Sequence, residues 1–362
     1  MTRVYITVDT ELSASHFAHH GREGLSENFD RAILGRTATG DVGIVHQMRR
    51  LDAHGLKAVF FVDPLPGLVV GPDIVKRIVH PILDHGHDVQ LHVHSEWLAF
   101  AERSPVDGRT GRNIGDFSLA DQFRIIGVAR DLLTDAGAPA PIAFRAGNYG
   151  ANDDTLRALA RLGIRYDSSF CPGIARSACR ITLSADVLAP VDHCGVIEVP
   201  VGAITGWGEG RRHVQLTALS AWEMAAAIEH AVASNQASFS LVSHSFELLN
   251  RRQGTVNPIV ARRFDRLCAL LAGRKDITTG TYIACPPVVP PPWRHVETLP
   301  HSPVRTALRL GEQFLSNHLF GETPSPRLMP HGRLWMASQR IIHPLHHLVP
   351  LQNLAMDALT AF

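Results

Sequence analysis

Between Val4 and His244, short apolar runs alternate with amphipathic stretches, and no other feature of the sequence limits the fold so strongly. Val4–Asp9, Ala58–Val62, Asp88–His94, Ile142–Arg145, a short piece near Tyr166, Val196–Pro200 and Phe239–His244 read as buried strands. Among the stretches between them, Asp41–His54 carries Val42, Val45, Met48 and Leu51 at three-residue steps, and the segments near Leu119–Ala136, Asp153–Leu162 and Ala221–Ser234 also read as helices. Strands apolar on both faces, alternating with helices, belong to a parallel sheet with helical cover. Six or seven such units either close into a barrel or stay an open doubly wound sheet, and the pattern is compatible with both.

Composition narrows the partners. The 35 basic and 34 acidic residues leave a formal net charge of +1, so no surface is marked for nucleic acid or an anionic membrane. No stretch reaches the roughly 18 uncharged apolar residues of a transmembrane segment. The sequence runs from Met1 straight into a strand pattern, without the basic, apolar and small-residue regions of a secretory signal, so a cytoplasmic location is expected. Five scattered cysteines with no Cys-x-x-Cys pair fit reduced thiols. The proline-rich run from Cys285 to Trp293 cannot sit inside a strand or helix. It sets an expected boundary between a domain over 1–284 and a Pro/His-rich extension over 285–362, either a docked helical piece or a mobile arm.

In parallel α/β folds the loops after the carboxyl ends of the strands surround one mouth, so ionisable residues there carry weight. Asp9 and Glu11 follow the first run two residues apart, on one side of an extended chain. His92 and His94 share a side in the same way, and Glu96 joins them if the extension persists. Imidazoles with a carboxylate suit zinc or another divalent ion. Arg145 opens a glycine-punctuated turn through Gly147, Asn148, Tyr149 and Gly150. A guanidinium can fix a carboxylate there, and backbone N–H groups of such a turn can receive an oxyanion. His244 closes the last run, where an imidazole can protonate a leaving amine. Each of these also has an ordinary structural reading, as a cap, a satisfied core histidine or a structural arginine.

Acidic pair, histidine pair, arginine turn and terminal histidine, in that order, resemble the motifs of the polysaccharide deacetylase superfamily. This is also called the NodB-homology or carbohydrate esterase family 4 group. Thr7-Val8-Asp9-Thr10-Glu11 resembles the family's Thr-Phe-Asp-Asp motif, and Gly55–Val62 is similar to its second strand. Gly86–His92 leads to the position of its first metal histidine, Phe144–Gly150 resembles its arginine motif, and Leu241–His244 its last. Arg165–Phe170 and Val196–Pro200 are phrases of the same family. The departures are specific. Thr10 separates two acids that the family has adjacent, and Glu96 stands four residues after His92 where the family has its second histidine. Ala146-Gly147-Asn148 intervenes before Tyr149 where the family places proline and an aromatic closely after the arginine. A deformylase branch acting on aminoarabinose-lipid precursors also spaces its two acids one residue apart.

The resemblance implies a deformed (β/α)7-type barrel of parallel strands, a bound Zn2+ or other divalent ion, and hydrolysis of an N-acyl group, acetyl or formyl, on a carbohydrate or glycolipid precursor. It implies Asp9 as base and Glu11 as ligand, or the reverse, with His92 and either His94 or Glu96 completing the metal set. Arg145 would aim Asp9, a backbone N–H near Tyr149 would receive the oxyanion, and His244 would act as the acid. Asp167 and Trp207 would shape the substrate groove. Two other readings compete. His92-x-His94 is also the ligand pattern of amidohydrolase and phosphoesterase barrels, though there it follows the first strand. An inactive carbohydrate-binding protein is the other, and the acid–base set of Asp9, Arg145 and His244 argues against it.

Overall fold

The computed structural model describes residues 1–320 except 175, 176, 209, 292, 294 and 295. Nine strands form one sheet: β1 (Thr2–Thr10), β2 (Ala58–Val62), β3 (Asp88–Val93), β4 (Ala143–Ala146), β5 (Tyr166–Asp167), β6 (Val191–His193), β7 (Val196–Glu198), β8 (Ser238–His244) and β9 (Ile277–Thr279). Their spatial order is β8-β1-β2-β3-β4-β5-β7-β6, with β9 on the first residues of β1. Every pairing is parallel except the β6–β7 hairpin. The sheet curls into a half-barrel. The gap between β7 and β8 is crossed by the chain that follows β7: Gly202 N–H donates to Ser240 O, Val242 N–H to Val214 O and Leu216 N–H to Val242 O, each at 2.9 Å. This is the deformed (β/α) barrel of the two architectures the sequence allowed.

The longer helices are α1 (Ile44–Ala53), α2 (Asp73–Asp84), α3 (Leu119–Asp135), α4 (Asp153–Arg161), α5 (Ala221–Ala233), α6 (Pro258–Ala272) and α7 (Pro303–Phe320). The apolar faces of α1–α6 meet the outside of the sheet, α2 for example burying Ile74, Val75, Ile78, Val79 and Ile82 at helical spacing, while α7 lies against α5. Helix starts are fixed locally. Asn152 caps α4 and Ser220 caps α5, each accepting the N–H three residues on in a reciprocal capping box. The alternation read from sequence passes over α2, α6, β6 and β9. Pro81 inside α2 and Pro258 at the start of α6 interrupt the helical signal, and β6 and β9 are three residues each.

Residue parity places the chemistry. Val4, Ile6 and Val8 of β1, Ala58, Phe60 and Val62 of β2, and Val89, Leu91 and Val93 of β3 pack in the large core against the helices. Residues of the other parity face the barrel interior. There Val59, Phe61, Ala143, Tyr166, Ile197, Val199 and Tyr282 form a second cluster. Tyr282 stands with its ring 5.5–5.9 Å from those of Tyr5, Phe61 and Tyr166, and its N–H donates to Asp88 at the start of β3. The interior parity also carries Asp9, Asp63, His92 and Arg145 out of this apolar layer towards the mouth.

Residues from the expected extension lie against the barrel's helices. Glu297 O accepts from His230, Arg309 reaches Glu223 at 3.2 Å with both side chains buried, and Glu312 pairs with Arg263 at 3.2 Å. Residues 321–362 of that extension lie outside the described residues. Among the described residues no helix is long and apolar enough to cross a membrane, and all five cysteines are free.

Candidate active site

Sheet register brings the strand-end residues together. Asp9 pairs with His244 across β1 and β8, and His92 with Arg145 across β3 and β4. Thr10 pairs with Val62 and Val62 with Leu91, so the next residues, Glu11, Asp63 and His92, fall side by side. All eight residues picked out by the sequence are found at this mouth, in two groups.

The first group centres on Glu11. Its Oε2 lies 2.9 Å from His92 Nε2 and 2.8 Å from His94 Nε2. The three potential ligand atoms all lie within 4.8 Å of one another. The His92 tautomer follows from its other nitrogen, since Nδ1 is 2.7 Å from Arg145 O and a carbonyl can only accept. With the proton on Nδ1, Nε2 is the nitrogen left to act as a ligand, and it points at the Glu11 carboxylate. His94 lies between two carboxylates, its Nδ1 3.1 Å from Glu96 Oε2 and its Nε2 2.8 Å from Glu11 Oε2. Burial works against the Glu11 carboxylate, yet His94 and His92 hold it well below the ordinary range. Burial likewise opposes a proton on His94, and Glu11 and Glu96 outweigh it, raising that imidazole well above its usual value. One carboxylate and two imidazoles, each with a hydrogen-bond partner on the far side, fit a divalent ion of the zinc class.

The position of Glu96 corrects the expectation of continued extension. The chain leaves β3 and enters a 3₁₀ turn at Ser95–Phe100, so Glu96 is carried behind His94. There its Oε1 accepts from Asn148 Nδ2 at 3.1 Å and its Oε2 holds His94 Nδ1. It backs the His94 ring and lies outside the three-residue donor set.

The second group centres on Asp9. Arg145 is fully buried, and its Nη1 donates to Asp9 Oδ1 at 2.6 Å and to Thr7 Oγ1 at 2.9 Å. The rest of the guanidinium donates to Ser168 O and Oγ at 3.1 Å and stacks over the Phe61 ring at 4.4 Å. Asp9 Oδ2 is left facing His244 Nε2 at 4.0 Å. His244 Nδ1 donates to Glu247 Oε1 at 2.9 Å, and Glu247 also accepts from Gln215, Thr217 and Ser243. Burial works to lower the pKa of His244, but Glu247 first, then Asp9 and Glu11, raise it to about 9. The imidazole is thus protonated at neutral pH with Nε2–H towards Asp9.

The arginine turn is shaped by close approach. Asn148 and Tyr149 both take left-handed backbone at φ 55°. A Cβ on Gly147 would fall 2.7–2.8 Å from atoms of the His94 ring, so only glycine fits there. Tyr149 packs its ring near Cys171, Val201 and Val242, with its hydroxyl buried.

One expectation about the groove changes. Asp167 is fully buried and both its oxygens accept from Ser169, so it places the Ser168–Ser169 turn that touches Arg145 and is closed off from substrate. Trp207 is largely exposed, its ring 5.5 Å from that of His301. Sequence reasoning passed over Glu247, Gln215 and Asp63. Asp63 follows the apolar β2 as Asp9 does within β1, and that strand-end position was the signal available. It is fully buried; Oδ1 accepts from Leu65 N–H at 3.1 Å, and Oδ2 has no hydrogen-bond partner among the described residues. Burial pushes its carboxyl up to about 7, against the pull of His94 and His92.

No family model and no curated protein matches the chain. Among solved structures it is similar to a Mycobacterium smegmatis protein assigned as a polysaccharide deacetylase, at 17% identity over 80% of this chain and 94% of that one, TM-score 0.49. It is similar to a family 4 carbohydrate esterase from Streptomyces lividans at 15% identity over 80% and 98%, TM-score 0.34. A peptidoglycan deacetylase from Bacillus subtilis is similar at 11% identity over 88% and 96%, TM-score 0.32. The solved structures to which this chain is similar thus include polysaccharide and peptidoglycan deacetylases and a family 4 carbohydrate esterase, each at low identity.

Proposed function

We propose that the chain is a metal-dependent hydrolase that removes an N-acyl group, acetyl or formyl, from an amino sugar or a glycan or glycolipid precursor. One observation carries the chemistry: Asp9 stands between the buried Arg145 and His244, beside the Glu11–His92–His94 donor set. A base and an acid 4.0 Å apart suit a reaction in which water loses a proton and a leaving amine gains one. The carbohydrate class of the substrate rests on the motif resemblance.

In this reading Glu11, His92 and His94 hold the ion, and Glu96 fixes the ring of His94 from behind. A divalent ion bound there supplies Lewis-acid polarisation of the acyl carbonyl and acidifies water. Asp9 uses Oδ2 as base, because Oδ1 is engaged by Arg145. The guanidinium, itself fixed by Thr7, Ser168 and Phe61, aims that carboxylate. His244 donates from Nε2 to the departing nitrogen, while Glu247 on Nδ1 keeps the ring oriented and protonated. The Gly147–Gly150 turn faces the same mouth and is assigned to the oxyanion.

The test is release of acetate and of formate from N-acylated amino sugars, with the metal content of the protein measured in parallel. Wild type should release one of the two acids. His92→Ala should lose the metal, and Asp9→Asn and His244→Ala should keep it while losing roughly 10²–10⁴-fold in rate. Metal-loaded wild type that releases neither acid from any such sugar would sink the proposal.

A further inference from the structure

Away from the mouth, at the β6–β7 hairpin, a second set of ligating side chains converges. We infer that Asp153, His193 and Cys194 form a second divalent-cation site of the zinc class, fastening that hairpin to the start of α4. One ligand atom from each residue lies within 4.8 Å of the other two, and all three residues are half-buried. Thiolate, imidazole and carboxylate are together a donor set for zinc or a similar borderline-soft ion, with room for a further ligand from solvent.

The backbone accounts for the convergence. β6 ends at His193 and β7 begins at Val196, so Cys194 and Gly195 are the two residues of a tight hairpin loop, with φ 48° and 90°. Such a turn favours Asn-Gly or Asp-Gly, because asparagine and aspartate tolerate left-handed backbone. Cysteine has no such advantage, so the thiol needs a reason to be there. In a regular strand, neighbours 193 and 194 would point to opposite faces. The left-handed residue breaks that alternation, and thiol and imidazole reach the same carboxylate.

Asp153 is held ready for them. Its Oδ1 accepts from Thr182 N–H at 2.9 Å and its Oδ2 from Thr182 Oγ1 at 2.6 Å, which pins the carboxylate at the first turn of α4. His193 Nε2 stands 3.1 Å from Oδ1, a separation that fits one ion bound to both atoms at roughly 2.0–2.2 Å. Burial and the nearby Asp153 hold the Cys194 thiol above its ordinary range, with Arg157 opposing. A free thiol of that kind is a poor nucleophile, whereas a binding ion displaces its proton.

The site has a signature that the barrel mouth lacks, since Glu11, His92 and His94 include no sulfur. The metal-free, reduced full chain is titrated with Co2+ and its near-ultraviolet absorption followed for a thiolate-to-cobalt band. Wild type should show the band, and His92→Ala should keep it. Cys194→Asn puts the residue favoured by the turn at this position and so preserves the hairpin; it should abolish the band and lower the bound cobalt by one equivalent. His193→Gln should weaken binding at this site by at least tenfold. Absence of the band in wild type, or a band that survives Cys194→Asn and so comes from another cysteine, would overturn the inference. Loss of metal at the mouth with the band intact would instead count against the proposed catalytic centre alone.

Discussion

Replacing Glu96 by glutamine separates a metal ligand from the partner of a ligand. Glu96 accepts from His94 Nδ1 and from Asn148 Nδ2, both at 3.1 Å. Glutamine keeps the length, but its amide has one accepting oxygen and one donating nitrogen. If the oxygen takes His94 Nδ1–H, the NH2 faces the donor of Asn148; if it is flipped, His94 loses its acceptor. Unless Asn148 turns its own amide to accept, one of two hydrogen bonds goes, and in every arrangement the negative charge behind the imidazole is lost. Partners in this position are worth about 10–100-fold in metal affinity. That corresponds to about 1.4–2.7 kcal/mol. The assay is competition for Zn2+ against a chromophoric chelator, run on wild type, Glu96→Gln and His92→Ala. The expected order places Glu96→Gln between the other two. Glu96→Gln as weak as His92→Ala would make Glu96 a direct ligand; Glu96→Gln equal to wild type would deny it any hold on His94.

Arg145→Met should cost about 3–5 kcal/mol in chemical denaturation, because it leaves the buried Asp9 carboxylate without its cation; a loss below 1 kcal/mol would contradict that pairing. The activity of wild type should fall on an alkaline limb near pH 9 as His244 loses its proton, and Glu247→Gln, which removes the first of the charges that raise His244, should move the limb to lower pH. Because the pKa of His244 is raised on folding, its stabilising contribution is complete below about pH 6.5 and lost through about pH 9, so thermal stability should decline over that window. Gly147→Ala should cut Zn2+ affinity by roughly 10-fold or more by pressing on the His94 ring, with the fold intact by circular dichroism. In the metal-free protein Asp63→Asn should raise the melting temperature more at pH 8 than at pH 5, since a buried carboxyl raised to about 7 opposes folding as it ionises; equal gains at both pH values would remove that account.

The strands and the site were legible in sequence to unequal degrees. β2 is found at the bounds expected, and β1, β3, β4 and β8 within two residues, because strands buried on both faces leave near-continuous apolar runs that turn residues cut off sharply. Closure was not legible: the hydrogen bonds that join Gly202 to Ser240 and Leu216 to Val242 link segments without a regular period. At the site, the i, i+2 spacing of Asp9 and Glu11 and of His92 and His94 correctly set one side of the chain. It did not separate their tasks, which depend on where Arg145 and Glu96 reach in space. Glu96 was misplaced because the 3₁₀ turn at Ser95 ends the strand geometry from which its direction was read. Glu247 was passed over because it follows β8 within a short turn, with neither helix nor strand period to mark it.

The seam between β7 and β8 has a dynamic consequence. β8 carries His244 and is anchored along one edge to β1 by seven residue pairs, while its other edge meets irregular chain. The Gly202 and Leu216 amides are therefore expected to exchange with solvent earlier than those inside β2 and β3. Opening there would splay β8 and with it His244, while the segments carrying Glu11, His92 and His94 stay fixed.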